Sequence, residues 1–78
     1  MKKYMVIERF KPECYEKVYE RFDKKGRMLP EGLFYLNSWV NKELNLCFQL
    51  MESSNDGLFQ IWIDKWIDLT DFEIISID

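Results

Sequence analysis

Six segments in the order β-α-β-β-α-β predict an α+β fold, a ferredoxin-like sandwich with a four-stranded antiparallel sheet and two helices on one face. Three observations carry that prediction. Four β-prone stretches are separated by turn formers. Amphipathic stretches of helical period fill the first and third long connections. The two middle stretches are joined by a short polar loop, as in a hairpin. The chain has 78 residues, which is one domain, 1–78, and too few for two.

The first strand is KYMVIERF, residues 3 to 10, ending at Lys11-Pro12. Pro12 suits a first helical turn, where its missing N–H is not needed. A helix is therefore expected to run on from Pro12 to the two lysines before Gly26. On a wheel at about 100° per residue, Cys14, Tyr15, Val18, Tyr19 and Phe22 share one arc. Glu13, Glu16, Lys17, Glu20, Asp23 and Lys24 share the other. Gly26 is a natural C-cap, and Lys24 and Lys25 complement the helix dipole. After a turn, RMLPEG, strands are expected at Leu33 to Val40 and Leu46 to Glu52, joined by the loop NKELN. Ser53, Ser54 and Asn55 are good N-caps for a second helix from Asp56 to about Trp66. Leu58, Phe59, Trp62, Ile63 and Trp66 form its apolar arc, and Ile61 is an apolar outlier on the polar side. Thr70 to Ile77 reads as the last strand, with Phe72 and Ile74 facing one way and Ile75 and Ile77 the other. The first strand's facing stays open: either Tyr4 and Val6 or Met5 and Ile7 point away from the helices.

Composition narrows the function classes. There is no histidine and there are only two cysteines, so common zinc and haem ligation and a disulfide framework are excluded. No cofactor is expected. A net charge of −3 and a pI near 4.9 fit poorly with nucleic-acid phosphates or anionic lipid. Glu8 and Arg9 break the apolar run after the basic pair Lys2-Lys3, so the start does not read as a signal peptide. No segment has the length to cross a bilayer. A cytoplasmic location without membrane or nucleic-acid partners is the expectation.

Pairing the two middle strands symmetrically about the NKELN loop sets Trp39 opposite Cys47, Asn37 opposite Gln49 and Tyr35 opposite Met51, all on one face. The other face takes Val40, Leu46, Ser38, Phe48, Leu36 and Leu50. It is the drier one and is expected to meet the helices. The first face is then left open, and an apolar face of this kind is not normally left in water. A second copy packed sheet to sheet would cover it, giving a homodimer. Tyr35, Asn37, Trp39, Cys47 and Gln49 are the candidate ligand-binding residues, with amides set among aromatic walls. The bland alternative is an interface whose amides bond each other or water.

The stretches YMVIERFKPECYEKVYERF, PEGLFYLNSWV and WIDKWIDLTDFEIISI resemble the bacterial domain-of-unknown-function family numbered 3303. The junction RFKP, the PEG before the second strand and the pattern W-x-D-L-x-D-F-E are the strongest markers, and the likeness covers nearly the whole chain. The resemblance implies a dimeric α+β barrel. It supplies no catalytic residues.

Other constellations are weaker. Reading the first and third strands as parallel neighbours sets Glu8 and Glu52 near one end, with Arg9 beside them. A buried pair there could act as general acid or base; an exposed one is a solvated salt bridge. Cys47 has no histidine to activate it. Cys14 lies near a helix start but on the apolar arc, and reads as a small buried hydrophobe. The Trp-rich second helix reads as core, with Ile61 as an exposed contact. Function stays unknown at this level: a non-enzymatic homodimeric domain binding a small molecule or protein is favoured. The rival is a small cofactor-independent oxygenase or isomerase, in which Glu8 or Glu52 moves a proton.

Overall fold

The structure, a computed structural model, describes residues 1–77. Its elements are β1 (Lys2–Phe10), α1 (Tyr15–Lys25), β2 (Leu33–Asn41), β3 (Leu46–Ser53), α2 (Gly57–Ile63) and β4 (Thr70–Ser76). The four strands form one sheet in the order β2-β3-β1-β4, with every neighbouring pair antiparallel. This is the α+β arrangement the element order predicts.

Both helices are shorter than their periodicity suggests. Pro12 lies in a turn closed by the Cys14 N–H donating to the Lys11 carbonyl at 3.0 Å, and Glu13 takes φ 64°. A left-handed residue cannot continue a helix, so α1 starts only at Tyr15. It ends at Gly26, whose N–H donates to the Phe22 carbonyl and whose φ is 66°. At α2 the side chain of Asn55 accepts from the Gly57 N–H at 2.7 Å, satisfying one orphan donor. After Ile63 the chain continues in turns, in which Leu69 and Thr70 both bond the Trp66 carbonyl.

On β1, Tyr4, Val6, Glu8 and Phe10 are buried under the helices, and Met5 and Ile7 lie on the opposite, open face. With Leu33, Met51, Phe59, Trp62 and Trp66, the residues Tyr4 and Val6 make the core cluster. Trp62 of α2 and Trp66 of the turns after it lie side by side, and each indole N–H donates to the Arg27 carbonyl at 3.0 Å. The Lys65 ammonium donates to the Met28 carbonyl at 3.1 Å. The connection from α1 to β2 is thereby held down on α2 rather than left as a free loop.

The β2–β3 register departs from the symmetric pairing. Asn41 pairs with Leu46, so the loop has four residues and closes with Asn45 at φ 55°. Every pair near the loop slips by one: Val40 meets Cys47, Trp39 meets Phe48, Ser38 meets Gln49 and Asn37 meets Leu50. A bulge between Tyr35 and Asn37 absorbs the slip, and Tyr35 pairs with Met51 as expected. Because side chains alternate along a strand, a one-residue slip moves each to the other face. The expected single face therefore divides. Cys47, Gln49 and Met51 meet the helices, together with Tyr35, Ser38 and Val40, while Asn37 and Trp39 lie on the open face with Leu46, Phe48 and Leu50. Dryness misled the choice of face because the open face is itself apolar.

Candidate functional site

The inward stripe of β1 reads Tyr4, Val6, Glu8, Phe10, three large apolar residues and one carboxylate. Glu8 is 6% exposed. Its register partners are Cys47 on β3 and Phe72 on β4. Gln49, diagonal to it on β3, donates its Nε2–H to Glu8 Oε2. The Arg27 Nε in turn donates to Gln49 Oε1 at 3.3 Å. Arg27 reaches this point because its backbone is pinned by the two indoles. Its guanidinium carbon stands 3.5 Å from the centre of the Tyr35 ring and 4.9 Å from that of Phe22. The Tyr35 hydroxyl shares a hydrogen bond with Ser38 Oγ at 2.7 Å.

Above this polar chain is a half-open cleft of about 160 Å³ between α1 and the sheet. Its walls come from α1 (Val18, Tyr19, Phe22), from Trp62 and Trp66, and from Phe10 and Val40, and its floor is Glu8, Gln49 and Arg27. On its helical side α1 has no fully buried residue, and Val18 and Phe22 pack only partly buried against the core. An apolar cavity of about 150 Å³ is large enough to hold a benzene ring.

Burial raises the Glu8 carboxyl above its ordinary value, opposed by the Gln49 and Cys47 hydrogen bonds and by the more distant charge of Arg27. Burial, and then the charge of Glu8, push the Cys47 thiol up to about 12. A thiol held neutral in this way is no nucleophile near neutral pH. Burial and the neighbouring Tyr15 push the Tyr19 phenol up to about 12. Among the described residues no group of three or more His, Cys, Asp or Glu side chains could hold a metal ion. No helix among them is long and apolar enough to cross a membrane.

Of the five residues picked out in the sequence, the cleft is lined by Cys47 and Gln49, and Tyr35 stacks on Arg27 at its edge. Asn37 and Trp39 lie on the far side of the sheet, with Trp39 51% exposed. The carboxylate pairing is also corrected. β1 and β3 run antiparallel, so Glu52 pairs with Lys3 at the other end of the strand and on the open face, away from Glu8. Arg9 instead meets Glu73 of β4 at 3.2 Å, in an exposed ion pair.

Glu8 was legible as a site residue in one respect: it is the charged member of an otherwise apolar alternation. Arg27 and the α1 wall carried no such signal, since a lone arginine after a helix C-cap is an ordinary surface residue.

A family model described as a domain of unknown function (DUF3303) matches residues 2–77. No curated protein and no solved structure matches the chain.

Proposed function

The chain belongs to the DUF3303 family, and from that premise we propose a homodimeric domain that holds a small molecule in the cleft between α1 and the sheet. The observation that carries this is the cleft's make-up: aromatic walls over one connected polar floor of Glu8, Gln49 and Arg27. Ligand sites commonly combine mostly apolar walls with a few fixed polar groups. The proposed second copy covers the other face of the sheet, where Met5, Ile7, Phe34, Trp39, Phe48, Leu50 and Ile75 form an apolar surface. A surface of that kind is rarely left to water. Asn37 and Trp39 then belong to the interface, and the ligand contacts pass to Gln49, Cys47, Tyr35 and their neighbours. Free thiols at Cys14 and Cys47 accord with a reducing cytoplasm.

The second reading is a cofactor-independent enzyme of isomerase or oxygenase type, with Glu8 rather than Glu52 moving the proton. The raised carboxyl of Glu8 inside a cleft is the observation that favours it.

The three tryptophans make the test direct. Trp62 and Trp66 line the cleft, and Trp39 sits on the opposite face. Toluene titrated into ¹⁵N-labelled protein is expected to shift the indole signals of Trp62 and Trp66 and leave that of Trp39 in place. Shifts at Trp39 alone, or none, would remove the cleft as the binding site.

A further inference from the structure

The hydrogen-bond directions at the floor of the cleft select among ligands. Gln49 has two ends to its amide, and Arg27 decides which one Glu8 meets. The guanidinium Nε donates to Gln49 Oε1, so Nε2 is the end turned to the carboxyl. The Cys47 thiol, directly across the register from Glu8, bonds the same carboxyl. Both protein partners give hydrogen, and Glu8 receives it. A carboxylate offers about four acceptor sites, so these two donors leave it with acceptor capacity to spare in a place almost closed to water. Glu8 lines the cleft, so an occupant sits where it could supply a third donor.

Charge decides what kind of donor. Glu8 and the Arg27 guanidinium, seated on the Phe22 and Tyr35 rings, both line the floor, so their opposite charges offset one another and draw in neither a cation nor an anion. A neutral hydroxyl needs no net charge there and can still donate to Glu8. We propose that the cleft selects uncharged single-ring molecules bearing a hydroxyl donor, of the phenol or enol class, with the ring between the α1 wall and Trp62 and Trp66 and the hydroxyl hydrogen given to Glu8. This rests on the cleft being the ligand site.

The groups facing Glu8 make its ionisation readable. From β3 come Cys47 and Gln49, from α1 Tyr19, and from the α1–β2 connection Arg27. β4 presents Phe72, and the α2 segment presents Trp62 and Trp66. Cys47 and Tyr19 titrate only near 12, and an arginine does not titrate in this range. A pH dependence of binding that sets in above the ordinary carboxyl range and well below 12 therefore reports Glu8.

Toluene, anisole and phenol are titrated separately into the wild-type protein and Glu8→Gln, following the Trp62 and Trp66 indole signals with Trp39 as the reference. All three rings are of similar size, anisole only accepts a hydrogen bond, and phenol alone donates one. Phenol is expected to bind about tenfold tighter than the other two, as a hydrogen bond to a charged acceptor warrants. That advantage is expected to grow as pH rises and Glu8 ionises, and to shrink severalfold in Glu8→Gln with toluene unchanged. Should Glu8→Gln fail to fold, the pH dependence of the phenol-to-toluene ratio in the wild-type protein decides. Toluene binding with phenol no tighter than anisole, or with a ratio indifferent to pH, overturns this proposal and leaves the cleft intact as a site. Silence from all three rings overturns the cleft reading, and this one with it.

Discussion

Glu8 occupies a strand position where Tyr4, Val6 and Phe10 show what the fold would ordinarily bury. Placing a carboxylate there has a consequence for stability that can be signed. Its folded value is raised from 4.5 by burial, so the folded state holds the proton more tightly than the unfolded chain does. Below 4.5 both states are protonated, and Glu8 carries no ionisation cost. As pH rises from there through the folded value, the unfolded chain releases its proton first and stability falls, then levels off once both states are ionised. Glu8→Gln keeps the shape and an acceptor for Gln49 but cannot ionise. Urea unfolding at a series of pH values is expected to show the variant gaining on the wild type as pH rises. A difference between the two that does not change with pH would mean that Glu8 is not desolvated.

Among the elements, what was legible followed from local chemistry, and what was not followed from register. Turn formers and apolar periodicity located all four strands and both helices, because those signals lie within each segment. The end of α1 at Gly26 was readable from one glycine; its start was not, because nothing in the letters places Glu13 in a left-handed conformation. The faces of β2 and β3 depended on whether their loop has five residues or four, and on a bulge beside Leu36. Neither leaves a mark in composition. Tyr35 opposite Met51 came out right because it lies beyond the bulge, which returns the strands to the expected register. The same slip explains why the five residues picked out in the sequence divide between the cleft and the open face.

The turn into β2 offers an element-scale test. Gly32 has φ 95°, and a Cβ there would come within 2.9 Å of Leu58 Cδ1 and 3.0 Å of Ser54 Oγ. Gly26 also has a positive φ, 66°, but nothing lies within 4 Å of a Cβ built on it. Gly26→Ala is expected to cost roughly 1–3 kcal/mol from backbone strain alone, and Gly32→Ala more, because the contact is added. Denaturant midpoints rank the two. Equal losses would show that the β2 turn is not pressed against α2.

At the scale of the whole molecule, the sheet separates two tasks. Its inner face carries the core at one end and the cleft at the other, and its outer face carries an apolar surface with no helix of the described residues over it. A chain of 78 residues has little core to spare, so covering that surface would also stabilise the fold. We propose that the two faces have separate occupants, a small molecule within and a second copy without. Sedimentation equilibrium on the wild type, Phe48→Lys and Val18→Trp separates the two faces. Phe48 stands on the open face, and Val18 lines the cleft, which a tryptophan would fill. Twice the 9.6 kDa chain mass is expected for the wild type and for Val18→Trp, and a single chain for Phe48→Lys. A monomeric wild type, or a Phe48→Lys protein that still sediments as a dimer, would contradict it.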